Sequence, residues 1–235
     1  MCGRYSNTGK RSDEFTTRMA ELLGAPRPET DVGFERFNIA PTDEVLAAVD
    51  DNRGRRIDIL RWGLRRHWMK DEKSRFQMIN ARAETILERP AYRDLVQQAK
   101  HRCLVLADGW YEWQKPEDPR QPRRPVRFSL PEGEPFVFAG LWTDGTCTIV
   151  TCEANDLARP IHDRMPVVLT EPPRWEAWLD PALDGPAVSE LLAPLPSEQL
   201  RVRPASPLVN SVANDGPECL DPAAARDVQL QLSGP

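Results

Sequence analysis

Proline limits what this chain can become more than any other residue: there are 23 in 235 residues, about twice the usual share. Each lacks the N–H that a helix interior or a central strand needs and has φ locked, so long uninterrupted helices are excluded. Short extended segments joined by turns are favoured instead. With 40% of residues hydrophobic and 29% charged, the chain has enough apolar material for one sizeable core.

The patterning agrees with this. A first helix is predicted over residues 12–23, with Ser12 as its N-cap, Asp13 and Glu14 in its first turn, and Phe15, Met19, Leu22 and Leu23 on one face. Gly24, Pro26 and Pro28 end it. Beyond it, strands are predicted at 45–49, 56–62, 103–107, 110–113, 126–130, 136–142, 147–152 and 167–169. Asp144-Gly145 is placed as a hairpin turn, and Glu132-Gly133 is expected to do similar work. Short helices are predicted at 92–99, 174–179 and 188–192. Residues 114–125 are predicted to form a basic loop, and residues 222–235 a loose tail. The expected fold is a single α+β domain over residues 1–221, built on curved, mostly antiparallel sheet.

Five cysteines, Cys2, Cys103, Cys147, Cys152 and Cys219, are odd in number and widely spaced, without a C-x-x-C pair. Neither a disulfide framework nor a zinc site is suggested, and reduced thiols, mostly in the core, are expected. No apolar run approaches the length of a membrane span, and no leader pattern opens the chain. A soluble cytoplasmic monomer without metal or cofactor is expected. Net charge is −5, but residues 53–127 carry 19 Lys and Arg against 10 Asp and Glu, a balance of +9, while residues 151–235 carry 6 against 13. An acidic protein with a local phosphate-binding face is compatible with that asymmetry, as is a solvated arginine surface.

Cys2 is the most reactive candidate. Removal of Met1 would place an α-amine and a thiol on one residue, with ordinary pKa values of about 7.7–8.0 and about 8.5, so some of each would be deprotonated near neutrality. An aldehyde meeting such a 1,2-aminothiol condenses to an imine, which the sulfur closes into a thiazolidine ring. A small buried hydrophobe is the plain alternative. Further along, Asn80 and Arg82 lie in Asn-Ala-Arg-Ala-Glu, Glu112 lies among aromatics in Asp108-Gly109-Trp110-Tyr111-Glu112-Trp113, and His162 stands between Ile161 and Asp163-Arg164. Desolvation would raise the pKa of Glu112 toward the range useful for proton transfer. Trp62 and Trp68 beside arginines suit single-stranded nucleic acid, though either could be core.

Met-Cys-Gly-Arg-Tyr, Phe-Asn-Ile-Ala-Pro-Thr, Trp-Gly-Leu, Asn-Ala-Arg-Ala-Glu-Thr, Arg-Cys-Leu with Ala-Asp-Gly-Trp-Tyr-Glu-Trp, Phe-Ala-Gly-Leu-Trp, Ile-His-Asp-Arg-Met-Pro-Val and Val-Asn-Ser-Val-Ala-Asn-Asp-Gly-Pro occur in that order. Together they resemble the SRAP family, the SOS-response-associated peptidase or abasic-site processing proteins. The resemblance implies an SRAP-type fold and self-removal of Met1 by a peptidase step. It also implies recognition of abasic sites in single-stranded DNA and their covalent capture on Cys2 as a DNA–protein crosslink in the DNA damage response, with a lyase step conceivable. By motif, Cys2 is the nucleophile, Asn80 positions the N-terminus or the sugar, Glu112 is the acid/base group and His162 assists proton transfer. Arg4, Arg82 and Arg164 are expected at phosphates, and Asn38, Pro41, Trp68 and Trp113 along the pocket or against bases. In a bacterial cell such a protein would sit at the nucleoid.

Leu106 and Phe37 replace a proline and a tyrosine usual in the family, and His67-Trp68-Met69 is less aromatic than its usual strand-splitting wedge. Two other readings are a non-covalent reader of single-stranded DNA and a class II glutamine amidotransferase, whose domains also begin Met-Cys-Gly. Arg4-Tyr5 stands where those domains usually continue with apolar residues.

Overall fold

A computed structural model of the chain describes residues 2–26, 35–69, 78–183 and 185–221. The predicted tail, 222–235, lies outside them. Among the described residues, thirteen strands and four α-helices follow in order: β1 (Tyr5–Asn7), α1 (Gly9–Leu22), β2 (Arg36–Ile39), β3 (Glu44–Asp51), β4 (Gly54–Trp62), β5 (Asn80–Arg82), α2 (Arg93–Val96), β6 (Arg102–Ala107), β7 (Gly109–Gln114), β8 (Arg124–Ser129), β9 (Phe136–Thr143), β10 (Thr146–Glu153), β11 (Arg164–Pro166), β12 (Val168–Leu169), α3 (Pro172–Leu179), α4 (Gly185–Glu190) and β13 (Arg201–Pro204). Among the described residues, no helix is long and apolar enough to cross a membrane.

The strands form two sheets. One has five strands in the order β13-β8-β7-β1-β2. The other has eight, and its pairings return on themselves: β4–β3, β3–β6, β6–β9, β9–β10 and β10–β4 close a five-strand ring. Most pairings are antiparallel, as expected, β10 against β9 and β11 included; only β10 against β4 and against β5 runs parallel among the described residues.

The principal core fills the space between the sheets. Trp110 stacks on Phe128 at 4.9 Å between centroids, and Tyr5 meets Trp62 and Phe138 edge-on at 5.3 and 5.6 Å. Such contacts add about 0.5–1.5 kcal/mol each beyond the area they bury. They bind β1 to the ring. A smaller cluster of Phe37, Tyr111, Ala205, Val209 and Cys219 covers the other face of the five-stranded sheet. Period-2 alternation along β7 thus sends Trp110 to the principal core and Tyr111 to the outer cluster, and puts Glu112 on the same face as Trp110. All five cysteines are buried and none is disulfide-bonded.

Two local expectations are revised. The first helix begins at Gly9, not after Ser12, because Thr8 at its N-cap position is fixed from outside: its N–H and hydroxyl both donate to the Asp108 carboxylate. Glu132 and Gly133 take positive φ, 57° and 71°, as a turn requires, but they link β8 in one sheet to β9 in the other rather than closing a hairpin. The strand predicted at 167–169 is present as β12, paired with β9, while β11 just before it pairs with β10. Asp144 and Gly145, at φ 48° and 71°, do close the β9–β10 hairpin.

Arg102 holds the helical layer. It is fully buried, and no carboxylate among the described residues pairs with it; its guanidinium donates to the carbonyls of Val96, Trp178, Asp180 and Leu183. The ends of α2 and α3 are tied to β6 by this one side chain.

Candidate active site

Cys2 leads into β1 at the seam between the two sheets. Tyr111 N–H donates to the Arg4 carbonyl at 2.9 Å, extending the β1–β7 pairing past Tyr5, and Ser6 and Thr8 both bond Asp108 on the turn before β7. Arg127 closes this knot by donating to the Asp108 carboxylate at 2.7 Å. Its guanidinium occupies the space a side chain at Gly109 would need, within 2.5 Å of an ideal Cβ. From the opposite sheet, Asn80 Nδ2 donates to the Cys2 carbonyl at 2.8 Å. Asn80 is placed for this by the parallel β5–β10 pairing, which sets it against Ile149. Asn80 Oδ1 is buried and has no hydrogen-bond partner among the described residues.

The Cys2 thiol is fully buried. Burial, reinforced by the Glu112 carboxylate, pushes its pKa well above the ordinary thiol value. This corrects the sequence-based picture in which some thiolate is present near neutrality: here the sulfur holds its proton until a neighbouring base takes it.

Glu112, 4% exposed on β7, is a base whose charge acts on that thiol. Burial raises its pKa to about 7, and Asp163 adds to the shift. Its carboxyl therefore exchanges protons near neutrality. Glu112 and His162 line one cavity of about 700 Å³. His162 closes the segment between β10 and β11. The Arg164 N–H donates to its Nδ1 at 3.0 Å, so a neutral ring carries its proton on Nε2. Asp163 Oδ1 is also 2.9 Å from Nδ1, a contact that becomes an ion pair only when the ring is protonated. Desolvation lowers the His162 pKa, which favours the neutral ring.

The residues expected along the pocket divide in two. Arg4, Asn38 and Trp113 come together: Arg4 donates to Asn38 Oδ1 at 2.8 Å and to the Val209 carbonyl, and its guanidinium lies 5.9 Å from the Trp113 ring. Asn38 is in turn bound to the carbonyls of Ser211 and Asn214. Pro41 sits in the turn after β2, where Thr42 takes φ 83°. Arg82 is exposed at the end of β5, and Trp68 is 51% exposed, whereas Trp62 is fully core. Arg164 is 8% exposed and already engaged, forking onto Glu84 at 3.0 and 2.9 Å and bonding the Thr151 carbonyl. Glu84 was not among the expected site residues; the partner of a buried arginine is a nonlocal property, and only its presence in the Asn80–Thr85 motif hinted at it. Among the described residues no cluster of His, Cys, Asp or Glu could hold a metal ion.

Fold and site together define a single-domain α+β protein with a buried second-position cysteine at the seam of two sheets, acted on by a carboxyl of raised pKa that shares a cavity with an imidazole. The chain belongs to the SOS response associated peptidase (SRAP) family, which matches residues 1–212. It is similar to the abasic site processing protein YoqW of Bacillus subtilis, 40% identical over 234 residues, covering 94% of this chain and 99% of that protein. It is also similar to the abasic site processing protein YedK of Escherichia coli, 30% identical over 94% of this chain and 100% of that protein. Among solved structures, a phage-related protein from Bordetella bronchiseptica superposes with a TM-score of 0.66 at 31% identity, covering 86% of this chain and 93% of that one. A Bacteroides thetaiotaomicron protein shares the fold at 23% identity with a TM-score of 0.76, covering 94% and 99%.

Proposed function

We propose that this protein captures abasic sites in single-stranded DNA by forming a thiazolidine between Cys2 and the ring-opened sugar, after Met1 has been removed by the protein itself. The observation that carries the reading is the placement of Cys2: its carbonyl is pinned by Asn80, while Glu112, with a pKa of about 7, acts electrostatically on its thiol. The names of the relatives support an abasic-site role.

The chemistry balances with these groups alone. The freed α-amine of Cys2 adds to the sugar aldehyde, and the resulting carbinolamine loses water to give an imine, with Glu112 or His162 supplying the proton that leaves with that water. Ionised Glu112 then accepts the thiol proton, the sulfur attacks the imine carbon, and the nitrogen takes up a proton as the ring closes. Asn80 Oδ1, buried and without a partner among the described residues, is a suitable acceptor for the freed amine. Arg4, Asn38, Pro41, Trp68, Arg82 and Trp113 are assigned to the strand and its bases. Arg164 is assigned first to holding His162 and only through that to the DNA. The crosslink would shield the lesion during the DNA damage response.

Purified protein is incubated with abasic and intact single-stranded oligonucleotides and run on a denaturing gel. A heat-stable adduct with the abasic strand alone is expected. Equal adduct from Cys2→Ala would falsify the mechanism, and reversible, salt-sensitive binding without any adduct would favour a non-covalent reader.

A further inference from the structure

The cavity that holds Glu112 and His162 is also lined by Lys115, Arg123 and Arg159. These cations come from two separate chain segments. Lys115 and Arg123 lie in the segment joining β7 to β8, and Arg159 lies in the segment between β10 and β11. All three are exposed, and among the described residues none forms an ion pair; the Arg159 guanidinium donates to the Ala154 carbonyl at 2.9 Å. The deeper arginines differ, since Arg127 is committed to Asp108 and Arg164 to Glu84. A second cavity of about 430 Å³ shares Lys115 but balances it and Arg124 with Glu117 and Asp118, so the excess of positive charge belongs to the first cavity.

Exposed lysines and arginines are commonly no more than solvated surface. These three, however, come from two chain segments and line the same cavity as Glu112 and His162. The only other acid on the lining besides Glu112 is Asp163, so positive charge dominates the mouth. We propose that Lys115, Arg123 and Arg159 form a clamp for the phosphates adjoining the reacting nucleotide. The site then prefers an abasic nucleotide inside a strand over one at a strand end. This rests on the single-stranded DNA reading above.

The test uses an oligonucleotide carrying tetrahydrofuran, an abasic analogue without an aldehyde, so that binding is read without covalent chemistry. Its Kd is measured against salt for the wild-type protein and for the K115A/R123A/R159A variant, with the analogue internal or terminal. Single-stranded DNA contributes a slope of about 0.7 per neutralised phosphate, so the variant's log–log slope should fall by about 2. Its affinity at low salt should drop about tenfold or more, and the preference for the internal position should disappear. The K115R/R123K/R159K variant should keep the wild-type slope. Equal slopes and equal positional preference in the wild-type and alanine proteins overturn the clamp. Failure of the wild-type protein to crosslink a true abasic strand, with the tetrahydrofuran slopes still differing, would overturn the trapping reading and leave the clamp standing.

Discussion

Asn80 on β5 donates its side-chain N–H to the main-chain carbonyl of Cys2 at 2.8 Å, although the two residues lie 78 positions apart and Cys2 leads into a strand of the other sheet. This bond sets where the N-terminal atoms stand relative to Glu112. Asn80→Ala removes the donor, and a hydrogen bond of this kind is worth about 1 kcal/mol, so single-turnover crosslinking should slow by about five- to tenfold. Asn80→Asp should be slower still, because a carboxylate oxygen would face the Cys2 carbonyl. An Asn80→Asp protein as fast as the wild type would remove Asn80 from the mechanism.

The raised pKa of Glu112 links stability to pH in a defined direction. Its folded value of about 7 lies above the ordinary 4.5, so between these values the folded state holds the extra proton. Stability should therefore fall as pH rises from about 4.5 to about 7 and flatten above, by up to roughly 3 kcal/mol from this group. Glu112→Gln should abolish that part of the slope in urea titrations at several pH values. A slope retained in full by the glutamine protein would assign the effect elsewhere.

The same substitution separates catalysis from folding. Glutamine cannot accept the thiol proton, and the buried Cys2 thiol holds it tightly. Adduct formation by Glu112→Gln should drop by about 10²-fold or more, the range of general acid–base contributions. Its rate should also lose any limb near pH 7. A pH–rate profile measured with excess protein over abasic oligonucleotide reads both effects.

Glu84 and Arg164 form a fork whose arginine is nearly buried while the glutamate is partly exposed. Burial pushes the Glu84 carboxyl up, but the fork outweighs it and holds the pKa below its usual range. Glu84→Ala would strand the guanidinium and should cost about 1–2 kcal/mol in thermal or urea unfolding, discounted for exposure. Crosslinking should slow as well, because Arg164 N–H holds His162. Tighter DNA binding by Glu84→Ala would show instead that Arg164 serves the phosphates directly.

Arg102 should be the most costly single truncation in the helical layer. Its guanidinium satisfies four carbonyls, and Lys offers only three donors without the planar fork. Arg102→Ala should lose about 3 kcal/mol or more, and Arg102→Lys a substantial part of that, measured by urea unfolding.

Much of the architecture was legible because its signals are local. The strands Phe136–Thr143 and Thr146–Glu153 and the Asp144-Gly145 turn between them follow from alternation and from residues that tolerate positive φ. The strands left unread, Tyr5–Asn7, Arg36–Ile39, Asn80–Arg82, Arg164–Pro166 and Arg201–Pro204, have three or four residues each. Runs that short carry too little period-2 pattern, and they become strands only because a neighbour pairs with them. The start of the first helix was misplaced for a related reason: Thr8 is fixed by Asp108, a hundred residues away.

By itself the sequence determined the strand-rich class, through its prolines and alternating segments, and the identity of the reactive groups, through eight ordered motifs. Side-chain type decides which chemistry is available, and that is written residue by residue. Only the tertiary structure decided the state of those groups: a Cys2 thiol buried and held protonated, a Glu112 carboxyl brought to about 7, and an Arg164 claimed by Glu84. Desolvation and ion pairing depend on which distant strands close around a side chain, and no local pattern carries that.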